Sequence, residues 1–508
     1  MKRLLFVPLA LLSAGIALAD FDLTIVHTND LHGRVEPSKV GKQMLGGYAR
    51  HLAFINKVRS EEKNVILLNA GDTFQGTLYF TQYRGLADLL YLNMAKYDAA
   101  TLGNHEFDLG PKATGEFIKR AQFPVLCSNM DFSGEPAMAP YIKPSTIVTV
   151  GKEKVGVVGV MTPDLLTLSS PGPTIKMLDM LPAVQKAVDD LTAKGINKII
   201  LLSHMGYSED KEAAQKLRNV DVIVGGHSHS LLGEVAVANR TPEGAYPTPV
   251  KGADGSTVLI TQAWEWGKAV GKLKVTFDAK GKVKAHHDAR AVLMDESMPE
   301  EPVLKAAIDA LSQPILTLRN TIIAEAPNGL ESGGKGSGES VLGNVICDAM
   351  LAKTATANTK IALMNAGGIR ATLEPGKISF ENAIQVQPFG NTLVVMDVTA
   401  DELKACFENQ KARFLQVSKG FEVTYDLSKP EGQQVVSMKL DGQPLTGTTR
   451  IVVNSFIAGG GDSFTSLKDA KGYRIDTGFV DLEALIDYLK ASTPLSRSKE
   501  GRIKIIRS

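Results

Sequence analysis

Apolar, β-branched runs recur through the first half of the chain, and each breaks off into a polar turn. Residues 23–27 run into Asn29-Asp30-Leu31-His32-Gly33, and residues 64–68 into Asn69-Ala70-Gly71-Asp72-Thr73. Residues 97–102 lead to Gly103-Asn104-His105-Glu106-Phe107-Asp108, residues 196–202 to Ser203-His204, and residues 220–224 to Gly225-Gly226-His227-Ser228-His229. Runs of this length and composition predict buried strands. Residues 45–58, 112–120 and 181–194 predict helices that cover a sheet, and residues 147–160 a hairpin turning at Gly151-Lys152. Residues 258–262 and 270–277 add strands on either side of Trp264 and Trp266. These two alternate with Glu265, which predicts packing on one face rather than a ligand stack.

Each of the five turns offers a side chain able to bind a hard or borderline cation. Each also lies at the C-terminal end of its strand, the edge where open α/β sheets place ligands. Asp30 and His32, two apart on an extended turn, can point the same way. Asn104 is a neutral ligand candidate. His105 is placed to give or take a proton, and Asp108, three residues on, to hold it in one tautomer. Of nine histidines, five fall in these turns: His32, His105, His204, His227 and His229. His51, His286 and His287 stand in polar surroundings and read as solvated. His27, inside a strand, reads as a hydrogen-bonded core residue.

At 508 residues the chain is too long for one ordinary core, and its length suggests two to four domains. It is 44% hydrophobic and 22% charged with a net charge of +1, which gives no electrostatic reason to expect nucleic acid or an anionic membrane as partner. Residues 1–19 place Lys2 and Arg3 before a short apolar stretch and end in Ala17-Leu18-Ala19, the pattern of a secretory signal peptide cleaved before Asp20. No Cys follows that site, no later run is long and apolar enough to span a bilayer, and no hydrophobic tail ends the chain. The mature protein is therefore expected to be periplasmic or secreted, without a membrane anchor. Cys127, Cys347 and Cys406 are odd in number and lack metal-ligand spacing. They read as buried small hydrophobes, with a bridge between two of them as the lesser alternative.

In the second half, residues 299–319 mix charge and leucine at helical spacing and predict an interdomain helix. Residues 328–339 are rich in Gly, Ser and Lys but lack the ending of a phosphate-binding P-loop, and predict a surface loop. A strand over 361–364 leads to Asn365-Ala366-Gly367-Gly368-Ile369-Arg370. Two further Gly-rich turns carry Phe389 with Asn391, and Phe456 with Asp462. The Arg370 guanidinium could fork onto phosphate oxygens or form a surface ion pair. Each Phe could meet a planar base or pack partly into a core, and Asp462 suits a sugar hydroxyl.

Asp30-x-His32, Gly71-Asp72, Gly103-Asn104-His105-Glu106, His204 and Gly226-His227-x-His229 together resemble the metallophosphoesterase signature. Their order and spacing are those of the 5′-nucleotidase family, which includes bacterial UDP-sugar hydrolases, and the second-half segments resemble its C-terminal substrate domain. The resemblance implies an α/β fold, with a four-layer catalytic domain built on a mixed β-sheet core over residues 20–298. A linker helix over 299–322 and a separate α/β substrate-binding domain over 323–508 would follow. It implies two divalent metal ions, one held by Asp30, His32, Asp72 and His229, the other by Asp72, Asn104, His204 and His227, with Asp72 bridging. Zinc or manganese is the first expectation, with cobalt or iron also compatible. Two cations about 3.5–4 Å apart grip both sides of a phosphate and activate a water as nucleophile. His105, oriented by Asp108, would stabilise the transferring phosphoryl group or protonate the leaving oxygen.

By the same resemblance Phe389 and Phe456 would sandwich the base and Asp462 would bind the ribose. Asn365, Arg370 and Asn391 would complete the pocket. The implied activity is removal of phosphate from nucleoside 5′-monophosphates. Alternatives on the same machinery are UDP-sugar hydrolysis, 2′,3′-cyclic-nucleotide phosphodiesterase activity, or a thiosulfohydrolase, against which the Phe pair argues. Binding without turnover would need neither His105 nor Asp108. Base preference and oligomeric state are not indicated. One departure stands out: relatives carry an arginine in the segment corresponding to Ser340-Val341-Leu342-Gly343-Asn344, and this chain has none there.

Overall fold

The computed structural model describes residues 20–506 except 41, 170, 238–240, 334–337 and 410–413. The expected signal peptide, residues 1–19, and the centre of the Gly-Ser-Lys loop lie outside the described residues. In the first half two sheets stack. One has seven strands, with Phe21–Thr28, Val65–Asn69 and Ala99–Thr101 parallel at its centre and the antiparallel Ala269–Phe277 and Val283–Leu293 on one flank. The other has six, among which Glu153–Met161, Ile199–His204, Val222–Val224 and Thr257–Thr261 run parallel. Side chains alternate along each strand, and this sets the layers. Leu23, Ile25, Ile66 and Leu68 join one apolar cluster with the second sheet and with helices Met180–Thr192 and Tyr207–Lys216. Val26 and Leu67 point the other way, onto helices Tyr48–Glu61 and Leu86–Ala95. The result is helix, sheet, sheet, helix. The five ligand-bearing strands therefore divide between two sheets, and their turns meet along a shared rim rather than at the edge of one open sheet.

The sheets touch through a glycine. A Cβ on Gly159 would stand 2.5 Å from the Leu126 carbonyl carbon, and the Ser128 N–H donates to the Gly159 carbonyl at 2.8 Å. A glycine inside a strand often marks such a close backbone approach. One sequence expectation changes here. His51 is fully buried, not solvated: Nε2 donates to the Gly267 carbonyl at 2.6 Å and Nδ1 lies 3.2 Å from the Tyr91 hydroxyl. All three cysteines are free and buried, in keeping with their reading as small hydrophobes, and the alternative of a bridge falls away. His27 is buried as expected, 2.8 Å from the Tyr246 hydroxyl, and His286 and His287 are exposed.

The joining helix, Pro302–Arg319, starts with Pro302 in its first turn and with Glu301 accepting from the Leu304 N–H. Its apolar face, Leu304, Ile308 and Ile315, belongs to the first half's core, so the joint is anchored on that side. Beyond it lies a five-stranded sheet ordered Gln416–Val417, Ile361–Met364, Thr448–Asn454, Thr392–Thr399 and Arg474–Val480, beside a four-stranded sheet that ends in Ile503–Ile506. Gly159→Val should force the first-half sheets apart. A loss of about 1–3 kcal/mol in unfolding free energy, the scale of an overpacked core, is expected, read from a lower chemical denaturation midpoint.

Candidate active site

Asp30, His32, Asp72, Asn104, His204, His227 and His229 all lie buried along the shared rim. Asp30, His32 and His229 each offer a ligand atom within 4.8 Å of the others, and Asp72, His204 and His227 do the same. Asp72 stands between the groups: its Oδ2 is 2.9 Å from His204 Nε2 and 3.8 Å from His32 Nε2. Asp30, His32, Asp72, His227 and His229 all have φ between 48° and 73°. Left-handed backbone at residues other than glycine is uncommon and clusters where a site constrains it.

The far ring nitrogens set the orientation. His32 Nδ1 lies 2.9 Å from the Phe74 carbonyl, His204 Nδ1 2.6 Å from that of Ala70, and His229 Nδ1 3.1 Å from Glu265 Oε2. A carbonyl only accepts, so Nδ1 of His32 and of His204 carries a proton, and each Nε2, once unprotonated, would present its lone pair inward. His32 Nε2 and His229 Nε2 face each other at 3.3 Å, an approach that a cation or a proton must relieve. Asn104 is the second sign. It is fully buried, and neither amide atom has a hydrogen-bond partner among the described residues. Leaving an amide so costs a few kcal/mol unless its oxygen binds something. The imidazole, carboxylate and amide donors fit borderline divalent cations. Burial opposes charge on His204, yet Asp72 and Asp30 push it up to about 9. Burial likewise opposes ionisation of Asp72, but His204 and His105 hold its carboxyl well below the usual range. The proton on His204 occupies a place a cation would claim, so loading would release it.

His105 Nδ1 is 2.6 Å from Asp108 Oδ2, and the Ser169 hydroxyl donates to Asp108 Oδ1 at 2.6 Å. Burial disfavours the imidazolium, but Asp108 and Asp72 push the ring up to about 10. Its Nε2 donates to the Thr477 carbonyl at 2.7 Å, and Phe479 meets it edge to face, so the second half covers this donor. The sequence pattern assigns no role to Glu106, although it sits in the same turn. Its carboxylate accepts from the N–H groups of Gly103, Asp72, Thr73 and Phe74, which straps the Asp72 turn to the Asn104 turn. Asn29 ties Asp30 to the Trp264 carbonyl, and Gln262 holds the His227 turn through the Gly226 carbonyl. Adjacency to ligands is the one signal for Glu106 and Asn29. Gln262 and Ser169 carry none.

The second-half residues gather at one sheet edge. Ile361–Met364 runs parallel to Thr448–Asn454, and Thr392–Thr399 antiparallel to it with Leu393 opposite Asn454. The strand ends bearing Asn365, Phe389 and Phe456 thus come together. Asn365 donates to Asp462 at 3.0 Å and accepts from Asn454 at 2.9 Å, and the Arg370 guanidinium lies 5.7 Å from the Phe389 ring centre. Phe389 and Phe456 are 55% and 42% exposed, which is not core packing. Asn391 lies at the cleft between the halves, and there it also braces helix Asp481–Ser492: its amide donates to the Asp481 carboxylate and its backbone carbonyl accepts from the Asp481 N–H. The segment lacking the arginine opens helix Val341–Lys353, where Ser340 accepts from the Gly343 N–H. A cleft of 1020 Å³ between the halves is lined by Asp108, Glu265, Trp266, Phe389 and Asn391 among others.

Gly103 permits the contact on which both groups depend, since a Cβ there would fall 2.1 Å from Asp72 Oδ1. Gly103→Ala is expected to weaken divalent metal binding by about 10–100-fold, the range seen when groups that orient a ligand are lost, as read by metal titration on a chain whose circular dichroism is unchanged.

Residues 23–231 match the calcineurin-like phosphoesterase family, and residues 319–469 match the 5′-nucleotidase, C-terminal domain family. The chain is 38% identical over 529 residues to a 5′-nucleotidase of Diplobatis ommata, an alignment covering 96% of this chain and 90% of that protein. It is similar to the solved 5′-nucleotidase precursor of Thermus thermophilus, at 47% identity and a TM-score of 0.64 over 96% of this chain and 100% of that one. It is also similar to the NAD nucleotidase of Haemophilus influenzae, at 26% identity and a TM-score of 0.82 with the same coverage of 96% and 100%. With both families matched in order and relatives aligned over nearly its full length, the chain belongs to the 5′-nucleotidase family of metallophosphoesterases.

Proposed function

We propose that this protein is an exported hydrolase that releases phosphate from nucleoside 5′-monophosphates with the help of two divalent cations. Asp30, His32, Asp72 and His229 would hold one, and Asp72, Asn104, His204 and His227 the other, with zinc or manganese the favoured metals. The observation that carries the reading is the buried Asn104 amide, without a partner among the described residues, beside two converging imidazole and carboxylate groups. The exposed Phe389 and Phe456, with Arg370 and Asp462 at the same edge, support a nucleotide as substrate. The signal-peptide pattern of residues 1–19 supports export. Among the described residues no helix is long and apolar enough to cross a membrane.

When bound, the cations supply positive charge that grips phosphate and lowers the pKa of a water. The chain's own residues do the rest. His105, steadied by Asp108, turns its Nε2 proton toward the phosphoryl group once Thr477 withdraws. Arg370 offers N–H groups to phosphate oxygens. Phe389 and Phe456 stack on the base, and Asp462, fixed by Asn365, accepts from ribose hydroxyls. Because Thr477 occupies His105 here, the second half must shift before substrate can reach it. The turning point falls after Arg319, since the helix before it is anchored in the first half's core. The spans implied by the resemblance, catalytic 20–298, linker 299–322 and substrate-binding 323–508, are kept, with most of the linker helix held against the first half.

Phosphate release from AMP should vanish on chelation and return with zinc or manganese. A chelated enzyme at full rate would defeat the proposal. His105→Asn should lower kcat by about 10²–10⁴-fold, the usual loss of a positioned acid–base group, with metal content unchanged. Phe389→Ala and Phe456→Ala should each raise KM for AMP about tenfold, the scale of one lost base–aromatic stack, and leave hydrolysis of a base-free phosphate monoester as it was. Equal losses on both substrates would argue against a base clamp.

A further inference from the structure

The tryptophan pair flanks a carboxylate that reaches one candidate metal group. Trp264, Glu265 and Trp266 form a turn just beyond strand Thr257–Thr261, and the two tryptophans have φ of 63° and 58°. A bulky residue in the left-handed region is strained unless its surroundings hold it there. The hold is visible. The Trp264 N–H donates to the Ser230 carbonyl at 3.1 Å, the Trp266 N–H to the Asp30 carbonyl at 2.6 Å, and Asn29 donates to the Trp264 carbonyl at 2.6 Å. The turn is thus pinned to the two segments that carry Asp30 and His229. Between the indoles, Glu265 Oε2 lies 3.1 Å from His229 Nδ1, and Oε1 accepts from Lys268 Nζ at 2.6 Å. The Lys268 ammonium in turn sits 4.6 Å and 4.0 Å from the Trp264 and Trp266 ring centres. The ammonium thus sits between the carboxylate and the two indole faces, which hold it in place.

We propose that Glu265 is a positioning residue for the Asp30–His32–His229 group: its Oε2, 3.1 Å from His229 Nδ1, is placed to accept the N–H there and so to aim the Nε2 lone pair at the cation held by the group. This rests on the reading of the rim as a two-metal centre. Two other candidate metal-ligating imidazoles lean on neutral partners, His32 on the Phe74 carbonyl and His204 on the Ala70 carbonyl. A carboxylate behind a ligating imidazole raises its basicity more than a carbonyl does. The two groups therefore differ by design: Glu265 strengthens one of them, and the pinned turn fixes the angle.

The test uses the full chain stripped of metal and titrated with zinc alone against a competing chelator. The variants are Glu265→Gln, Glu265→Asp, His229→Gln and the Glu265→Gln/His229→Gln pair. Two zinc ions on the unsubstituted chain uphold the two-metal reading, and fewer would overturn that reading by itself. Glu265→Gln is expected to weaken one site by about 10–100-fold, the usual cost of losing a partner behind a metal ligand, while the other site stays as it was. Glu265→Asp should recover part of the loss, and the double variant should bind no worse than His229→Gln alone. Two sites of undiminished affinity in Glu265→Gln would overturn the assignment of Glu265. So would a fall at both sites together with a lower unfolding temperature, or additive losses in the double variant.

Discussion

Burying an anion costs several kcal/mol unless charges and donors surround it, and Asp72 is 1% exposed. Much of the first half is arranged to satisfy that one carboxylate. The His105 N–H donates to Oδ1 at 2.9 Å, while His204 approaches Oδ2. Gly71 and Gly103 carry no side chain where the two turns touch: a Cβ on Gly71 would stand 2.6 Å from the Gly103 nitrogen. The partners come from Ala99–Thr101 in one sheet and Ile199–His204 in the other. Satisfying Asp72 thus fixes how the sheets register against each other, and the remaining rim residues follow.

The second half reaches the same rim from outside. The edge that gathers Phe389, Phe456 and Asp462 also carries Thr477 on the adjacent strand, because Thr392 pairs with Val480. The proposed recognition groups and the group covering His105 therefore sit on one edge. On the proposed function, a movement that brings the aromatic rings toward the cations would also uncover the imidazole, and chemistry and recognition would be divided between the two halves.

Much of this was legible in the sequence, for a physical reason. Strands buried on both faces read as unbroken apolar runs, and the ligand turns directly after them are local features. Phe21–Thr28, Val65–Asn69 and Ile199–His204 stand within a few residues of their expected places. What pairs with what was not legible, because parallel pairing is made across long separations, and nothing within residues 196–202 says they belong to a different sheet from residues 64–68. His51 has a polar neighbour in Arg50, but its partners Tyr91 and Gly267 lie far along the chain. The bond from Asn391 to Asp481 was hidden for the same reason. Glu265 looked like a spacer between two tryptophans until the fold brought His229 to it.

The division of the rim between two sheets has a thermodynamic side. Asp30 and His229 are far apart along the chain and meet only when both sheets are docked. A cation bound there has affinity for the folded chain and little for the unfolded one. Such a ligand at a thousandfold excess over its Kd adds about 4 kcal/mol to the unfolding free energy, a large share of a typical domain's margin. The ions would then act as a clasp across the sandwich as well as reagents, and metal scarcity would leave the chain open to proteases before it left it merely idle.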